Sequence, residues 1–355
     1  MSTSSDTSAL LAASTARLAA GTHASRAETA ALVDGVLAGT IDLPAFGRWL
    51  VQLADLGESA AEIAGVADAL RARMRPVAHT LPTIADTCGT GGDGSGTFNI
   101  STAAAIVAAA AGLPVAKHGN RAVSSRTGSG DVLEALGVRI DAPSEVAAAC
   151  LCEIGLCFCL APVHHPAMAT VGPLRRSLGR PTVFNLVGPL CNPARATVQV
   201  IGVGRPAVRA AMAEAAFALG ATRVLVVSGS IADDASKAFD EVSLFGPTDV
   251  IDVSAAGTAR FRWTPDDFGI ATRSAADLAA LAVDGPAASA AMIRSVLAGT
   301  PGAAREIVIL NAAAVLWAAG SAETLPLAAS LAASAIDSGH AAAMLERLAA
   351  TSRHL

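Results

Sequence analysis

Residues 86–102 read DTCGTGGDGSGTFNIST, and this stretch decides which fold we expect for the chain. Five glycines fall within its seventeen positions, apolar residues precede it, and an alanine-rich segment follows. A buried strand, a glycine loop and a helix start, in this order, form an arrangement that binds phosphate through backbone N–H groups and the helix dipole. A flexible surface loop is the alternative interpretation. Asn99, Ser101 and Thr102 at the predicted helix start favour the phosphate site.

The spacing of apolar residues changes on the two sides of this loop. Before about residue 77 it is helical, with a helix start at Asp42 and a capping box formed by Ser59 and Glu62. From Ile84 onward, short apolar runs alternate with helices, which is typical of a mainly parallel α/β sheet. The strands are predicted at residues 113–117, 138–140, 156–160, 198–203 and 224–228.

We therefore expect an α/β protein with two domains. A small N-terminal helical domain covers residues 1–82, and a larger α/β catalytic domain covers residues 83–355. The segment 75–82 contains two prolines and marks the predicted boundary.

Composition and charge exclude several classes of protein. The 355-residue chain is 52% hydrophobic and carries a net charge of −5, without a Lys/Arg cluster or an aromatic ladder, so nucleic acid is not an expected partner. Residues 98–116 are uncharged, but polar residues and Pro114 favour a buried helix over a membrane span. Asp6 precedes any basic residue, which argues against a signal peptide, and the six cysteines suggest a reducing compartment. We expect a cytoplasmic protein.

A second polar motif, KHGNRAVSS at residues 117–125, directly follows a predicted strand. Ligands of α/β proteins bind at the carboxyl ends of strands. Two cations, an amide and two hydroxyls suit a phosphate together with a polar aromatic acid. A solvated basic loop is the alternative.

Two further clusters carry ionisable side chains. His164 and His165 are followed by Arg175, and an arginine can bind a carboxylate through a bidentate contact. The adjacent acids Asp240 and Glu241 are either a solvated turn or, beside a pyrophosphate, ligands of magnesium.

The cysteines at positions 150, 152, 157 and 159 do not predict a zinc site. Their spacing falls on an apolar helix and strand, where cysteine packs as a small hydrophobic residue.

These motifs together resemble the anthranilate phosphoribosyltransferase family. The resemblance extends from about residue 27 to the C-terminal helices, and it rests on CGTGGDG, FNIST, KHGNRAVSS, GSGDVLEALG, HHPAM, RRSLG, TVFNLVGPLCNP and FDEVS. It implies a homodimer formed through the helical domains, to which a segment at about residues 173–193 also contributes. It further implies phosphoribosyl pyrophosphate and anthranilate as substrates and two Mg²⁺ ions.

The resemblance also implies a role for individual residues. Lys117, Asp93 and Arg175 would act in catalysis, and Arg175 would bind the anthranilate carboxylate, with Gly89 and Asn120 also touching anthranilate. The metal ligands would be Ser101, Asp240 and Glu241. The substrate-binding residues would be Gly89, Gly92, Asp93, Thr97, Asn99, Ile100, Ser101, Thr102, Lys117, His118, Gly119, Asn120, Arg121, Ala122, Val123, Ser124, Ser125, Ser129 and Arg175. In this reaction the anthranilate amine displaces pyrophosphate from the ribose, and His118 is a candidate acceptor for the released proton.

One segment departs from the family pattern. Residues 228–243, SGSIADDASKAFDEVS, lack the histidine of the family's usual short turn and contain two more carboxylates, Asp233 and Asp234. This difference leaves open a metal site within the longer connection and a different aromatic amine as acceptor.

Two other functions remain as alternatives. Pyrimidine nucleoside phosphorylases share the fold but need no acidic metal pair, so Asp240 and Glu241 argue against them. A non-catalytic paralogue that binds nucleic acid would carry a basic face, whereas this chain is acidic.

Overall fold

The computed structural model describes residues 4–122, 126–231 and 234–353, with the backbone alone for residues 4, 5 and 234–237. Its N-terminal part is helical, as predicted. The helices are α1 (Ser4–Ala19), α2 (Arg26–Leu37), α3 (Leu43–Leu56) and α4 (Ala60–Ala72).

Local sequence signals set the starts of these helices. Asp42 caps α3 by accepting a hydrogen bond from the Ala45 N–H at 2.8 Å. The predicted capping box is confirmed, because Ser59 Oγ accepts from the Glu62 N–H and the Glu62 carboxylate accepts from the Ser59 N–H. The buried Trp49 indole donates to Ser14 Oγ at 2.9 Å and thereby joins α3 to α1.

Within the described residues, the strands form one eight-stranded sheet with the order β3-β2-β1-β4-β5-β7-β8, and β6 pairs with β5. Pairs among β1 to β5 are parallel, and pairs involving β6, β7 or β8 are antiparallel, so the predicted mainly parallel α/β sheet is confirmed. The strands are β1 (Ala85–Thr87), β2 (Val115–Gly119), β3 (Leu156–Leu160), β4 (Val198–Gly202), β5 (Arg223–Ile231), β6 (Asp234–Phe239), β7 (Thr248–Ser254) and β8 (Gly257–Trp263).

Helices cover both faces of the central part of the sheet, which explains the nearly continuous apolar runs in β4 and β5. Leu225 and Val227 of β5 point into one core, whereas Val224 and Val226 point into the other. The remaining helices are α5 (Ile100–Ala110), α6 (Ser129–Ala135), α7 (Ser144–Ile154), α8 (Ala161–His164), α9 (Gly172–Leu178), α10 (Arg209–Ala218), α11 (Pro286–Leu297), α12 (Ala303–Ala318), α13 (Leu325–Asp337) and α14 (His340–Thr351).

Some of the sequence-based assignments are wrong. Residues 138–140 were predicted as a strand, but they form an irregular connection in which Val138 and Ile140 are buried without joining the sheet. The antiparallel strands β6, β7 and β8 were not predicted. In β8, exposed side chains such as Arg260 and Arg262 leave no apolar run that would mark a strand. No helix in the described part of the chain is long and apolar enough to cross a membrane.

The order of the sheet identifies where a ligand would bind. From β1 the chain builds outward through β2 and β3 on one side, and later through β4 and β5 on the other. In such open α/β sheets, the crevice outside the carboxyl ends of the strands at this reversal accepts the ligand. The glycine loop begins directly after β1, and therefore lies at this point.

Candidate active site

The glycine loop is attached to the neighbouring strand at its first turn. The Thr90 N–H donates to the Gly202 carbonyl oxygen at the end of β4, at 2.8 Å. A Cβ on Gly89 would lie 3.0 Å from Asp240 Oδ2, so this position has little room for a side chain. Gly92 has a φ of +84°, a left-handed conformation that glycine adopts without strain. The loop therefore needs glycine both for its close approach to β4 and for its curvature.

Helix α5 begins at Ile100, as predicted, and its first residues are fixed by distant elements. Asn99 precedes the helix without capping it through its side chain. Instead, Asn99 Oδ1 accepts hydrogen bonds from Ser289 Oγ of α11 at 2.8 Å and from Thr127 Oγ1 at 3.1 Å. The start of α5 is thus held at the carboxyl edge of the sheet, where the positive end of its helix dipole favours an anion.

Lys117 of β2 extends towards both the glycine loop and α5. Its side chain is buried, and Nζ donates to the Thr87 carbonyl oxygen at 2.6 Å and to Ser101 Oγ at 3.4 Å. The Ser101 N–H in turn donates to Glu241 Oε1 at 3.1 Å. Ser101 therefore joins the buried cation to the acid pair.

Asp240 and Glu241 return to the glycine loop at the end of the longer connection. Strand β6 pairs antiparallel with β5, and the acid pair follows β6 directly. A Cβ on Gly202 would overlap the Asp240 carbonyl oxygen, and one on Gly229 would lie 2.6 Å from the Glu241 carbonyl oxygen. These glycines allow the acid pair to pack against β4 and β5. Asp233 lies outside the described residues, as does the side chain of Asp234.

The carboxylates at the site strongly influence one another. Burial, together with the nearby Asp93 and Glu241 carboxylates, raises the pKa of Asp240 well above its ordinary value. Burial raises the pKa of Glu241 to about 8, although Lys117 opposes this shift. Asp93 accepts from the Ser95 N–H through Oδ1, while its buried Oδ2 has no partner among the described residues. Asp240 and Glu241 therefore need a neighbouring positive charge to be fully ionised at neutral pH.

The donor set fits a magnesium ion shared with a ligand. In the described residues, no group of three acidic, histidine or cysteine side chains is arranged to hold a metal alone. Mg²⁺ is typically held by one or two carboxylates, with substrate oxygens and water completing the octahedron. The carboxylates of Asp240 and Glu241, beside the Ser101 hydroxyl, provide such a partial set.

Asp131 of α6 joins Ala122, near the end of the second motif, to Gly128. Asp131 Oδ2 accepts from the Ala122 N–H at 2.7 Å and from the Gly128 N–H at 3.0 Å. The guanidinium of Arg121, a predicted substrate-binding residue, pairs with Glu134 and Asp131. Val123, Ser124 and Ser125, which lie between these anchors, are outside the described residues.

His118 lies on strand β2 and is unsuited to accept a proton. The side chain is buried, and Nδ1 lies 2.9 Å from the Gly188 carbonyl oxygen. Burial, assisted by the neighbouring His165, lowers the pKa of His118 to about 3. An imidazole with this pKa is a weak base, so the structure argues against the suggested proton-acceptor role.

Asp86 is a buried residue of the site that sequence reasoning did not identify. Its carboxylate accepts from the His118 N–H at 3.2 Å and from Asn192 Nδ2 at 2.8 Å. Burial raises the pKa of Asp86 to about 7, and the nearby Lys117 opposes this increase. The only sequence signal was its position as the first residue of the glycine-rich stretch.

Arg175 lies on α9, where its guanidinium carbon is 5.6 Å from the centre of the Phe184 ring. No hydrogen bond or ion pair joins this guanidinium to another residue in the described ranges. The group is therefore available to a ligand. In particular, no hydrogen bond or ion pair in the described ranges connects Arg175 to Ser101, Lys117 or the acid pair.

Family comparisons match nearly the whole chain. The helical bundle domain of a glycosyl transferase family matches residues 13–74, and the a/b domain of a glycosyl transferase family matches residues 81–342. The anthranilate phosphoribosyltransferase of Moorella thermoacetica is 45% identical over 342 residues, which are 96% of this chain and 98% of that protein.

Solved structures give the same result. The crystal structure of anthranilate phosphoribosyltransferase from Thermus thermophilus superimposes with a TM-score of 0.88 at 41% identity, covering 96% of this chain and 99% of that one. The enzyme from Saccharomyces cerevisiae in complex with PRPP and Mg has a TM-score of 0.86 at 28% identity, covering 98% and 99%. A further structure of the yeast enzyme contains 4-fluoroanthranilate and has a TM-score of 0.85 at 27% identity, with the same coverage.

Proposed function

The chain belongs to the anthranilate phosphoribosyltransferase family, and we propose that its reaction takes place in the cleft around Ser101. The enzyme transfers the phosphoribosyl group of phosphoribosyl pyrophosphate to the amine of anthranilate, in tryptophan biosynthesis. The observation that carries the assignment of the site is the position of Ser101, whose hydroxyl contacts Lys117 and whose N–H contacts Glu241. A cation and an acid pair at one helix start suit a magnesium pyrophosphate.

Phosphoribosyl pyrophosphate would lie along the glycine loop and the start of α5. The glycine-rich backbone of the loop, the helix dipole and the buried Lys117 all favour a polyanion. Ser129 and residues 117–122 would close the other side of this cleft, because Asp131 holds Ala122 and Gly128 in place.

The acid pair would hold magnesium, and we propose two ions, as the family resemblance implies. Support comes from the carboxylates of Asp93 and Glu241, which lie near enough to Asp240 to raise its pKa. Bound magnesium would supply charge neutralisation for the pyrophosphate leaving group.

Anthranilate would be held by Arg175 through its carboxylate. The available guanidinium on α9 supports this assignment, because a half-buried arginine with no anionic partner among the described residues is suited to a bidentate carboxylate. Gly89 and Asn120 would provide the remaining contacts.

The side chains then account for the chemistry. Positive charge develops on the ribose and negative charge on the departing pyrophosphate, and Lys117 stabilises the latter. The aromatic amine is nucleophilic in its neutral form, so no strong base is needed, which agrees with the low basicity of His118. Positioning the amine against the anomeric carbon provides much of the remaining acceleration.

We also propose a homodimer that forms through the helical domain, residues 1–82, with a contribution from residues 173–193. An apolar groove between α3 and α9 supports this, with Leu43, Val51, Leu174 and Leu178 among its lining residues. Sedimentation equilibrium should give twice the chain mass, and Leu174→Asp should shift the equilibrium to monomer. A monomeric wild-type protein would refute the proposal.

A reducing, cytoplasmic location is proposed on the basis of the cysteines. All six lie in the described part of the chain, and all are free thiols. In an oxidising compartment, disulfides would be expected instead.

The reaction is tested by following the loss of anthranilate fluorescence with purified protein, phosphoribosyl pyrophosphate and Mg²⁺. We expect a loss that EDTA abolishes. If folded protein produces no loss, anthranilate is not the acceptor. If the loss persists in EDTA, the metal assignment is wrong.

A further inference from the structure

Asn311 occupies the middle of the apolar helix α12. It is the only polar side chain among the described buried residues of that helix, and it is 3% exposed. A buried amide is unfavourable unless its donors and acceptor are all paired. The partners of Asn311 therefore show what this polar residue does.

Those partners are the backbone groups of Val242. Asn311 Oδ1 accepts from the Val242 N–H at 2.8 Å, and Asn311 Nδ2 donates to the Val242 carbonyl oxygen at 3.0 Å. Nδ2 also donates to the Ile307 carbonyl oxygen at 2.9 Å, within α12. Residues 241–243 lie outside any strand, so the Asn311 amide provides the two-point pairing that a neighbouring strand would otherwise give.

This pairing fixes the residue that directly follows the acid pair. On the preceding side, the Asp240 backbone packs against Gly202. On the following side, the Ser243 N–H donates to Thr248 Oγ1 at 2.9 Å. Asn311 thus holds the backbone at Val242, the residue next to Glu241.

Asn311 also connects the acid pair to the part of the site that contains Ser101 and the start of α5. Helix α12 packs against α5, which begins beside Ser101. Asn311 itself lines the same cleft as Ser101, Asp240 and Glu241. Because α12 contacts both α5 and the segment that carries the acid pair, it can keep the distance between Ser101 and the two acids constant.

From these contacts we infer that Asn311 is a positioning residue, which holds Asp240 and Glu241 in the arrangement that binds the metal pyrophosphate. The inference rests on the proposed function. Without Asn311, the Val242 backbone would lose two buried hydrogen bonds, and the segment that carries the two acids would be held less firmly. Residues that orient metal ligands in this way typically change metal affinity by about 10- to 100-fold when replaced.

The test compares Asn311→Leu with a matched control. Ser14→Ala removes one buried hydrogen bond, to Trp49 in the helical domain, without touching the site. Calorimetric titration of phosphoribosyl pyrophosphate at a series of Mg²⁺ concentrations gives the metal requirement without turnover. For Asn311→Leu we expect the half-saturating Mg²⁺ concentration to rise about tenfold or more, by analogy with other ligand-orienting residues. The Ser14→Ala value should equal that of the wild type.

The outcomes separate this inference from the proposed function. If wild-type binding is independent of Mg²⁺, the proposed metal site is wrong. If the wild type needs Mg²⁺ and folded Asn311→Leu needs no more of it, then Asn311 is merely structural and the inference is refuted.

A milder variant and a measurement on the unchanged protein cover the case in which Asn311→Leu does not fold. Asn311→Ser, which is too short to reach Val242, should show the same increase in metal requirement. Hydrogen exchange of metal-free wild-type protein should show a protected Val242 amide. Rapid exchange of that amide would mean that the segment is not held, which overturns the inference.

Discussion

Replacement of Lys117 by methionine gives a sharp test of how the site stabilises the leaving group. The Lys117 side chain is 3% exposed, so its charge acts from a largely water-free position. Loss of one preorganised donor to a developing negative charge typically lowers turnover by about 10²- to 10³-fold, or about 2.7–4 kcal/mol. A unit charge pair at about 4 Å with an effective dielectric constant of about 20 gives a similar value, about 4 kcal/mol. Both estimates predict at least about a hundredfold lower kcat.

The same substitution also has a structural effect that can be measured separately. Without Nζ, the Thr87 carbonyl oxygen loses its 2.6 Å hydrogen bond, which costs about 1–3 kcal/mol of unfolding free energy for a buried group. Initial rates from anthranilate fluorescence, at saturating substrates, measure the first effect. Urea unfolding measures the second. If Lys117→Met folds and its kcat lies within about fivefold of the wild type, the assigned role of Lys117 is wrong.

Three other changes test the remaining assignments. Arg175→Ala should raise the KM for anthranilate about tenfold or more, the size of a lost charge-assisted hydrogen bond, and an unchanged KM would remove the carboxylate contact. Asp240→Asn and Glu241→Gln should raise the Mg²⁺ concentration needed for activity, whereas Asp233→Asn should not; the reverse pattern would place the metal site in the longer connection. The third change concerns pH. The pKa of His118 is lowered to about 3 in the folded protein, whereas the unfolded-state pKa is 6.5. The contribution of His118 to the unfolding free energy is therefore fully present above pH 6.5 and is lost as the pH falls below that value. Between pH 7 and pH 5, wild-type unfolding free energy should therefore fall by about 2 kcal/mol more than that of His118→Gln, and equal slopes in urea unfolding would contradict the pKa shift.

The sequence predicted the parts of the site that depend on local order along the chain. The glycine loop, the start of α5 and Lys117 lie within one strand–loop–helix unit and the next strand, so their meeting follows from parallel topology. The helix cap at Asp42 is equally local. Such features need few distant contacts, and residue spacing is sufficient to find them.

Other parts depend on packing between distant segments. Asn311 reaches Val242 across 69 positions of the chain, and Ser289 reaches Asn99 across 190. Nothing in the spacing of alanine-rich helices marks which polar residue faces inward. Residues 138–140 show the opposite error, in which a strand is predicted but does not form. Val138 is apolar and buried, and yet it joins no strand.

The arrangement around Ser101 also explains how opposite charges can share a small cleft without neutralising one another. Lys117 and Glu241 both contact Ser101, but no ion pair joins Lys117 to a carboxylate in the described ranges. A direct salt bridge would have to break before the lysine could bind phosphate and the acid could bind a cation, and breaking a buried pair is strongly unfavourable. With Ser101 between them, each charge keeps a hydrogen bond to a neutral group while its ligand position stays available. Ser101→Ala removes the hydroxyl that accepts from Lys117 and that is also a proposed metal ligand, whereas the N–H that donates to Glu241 remains. The variant should therefore weaken the binding of phosphoribosyl pyrophosphate and raise the Mg²⁺ requirement together, and a change in only one of the two would show that the hydroxyl serves only one of the two charges.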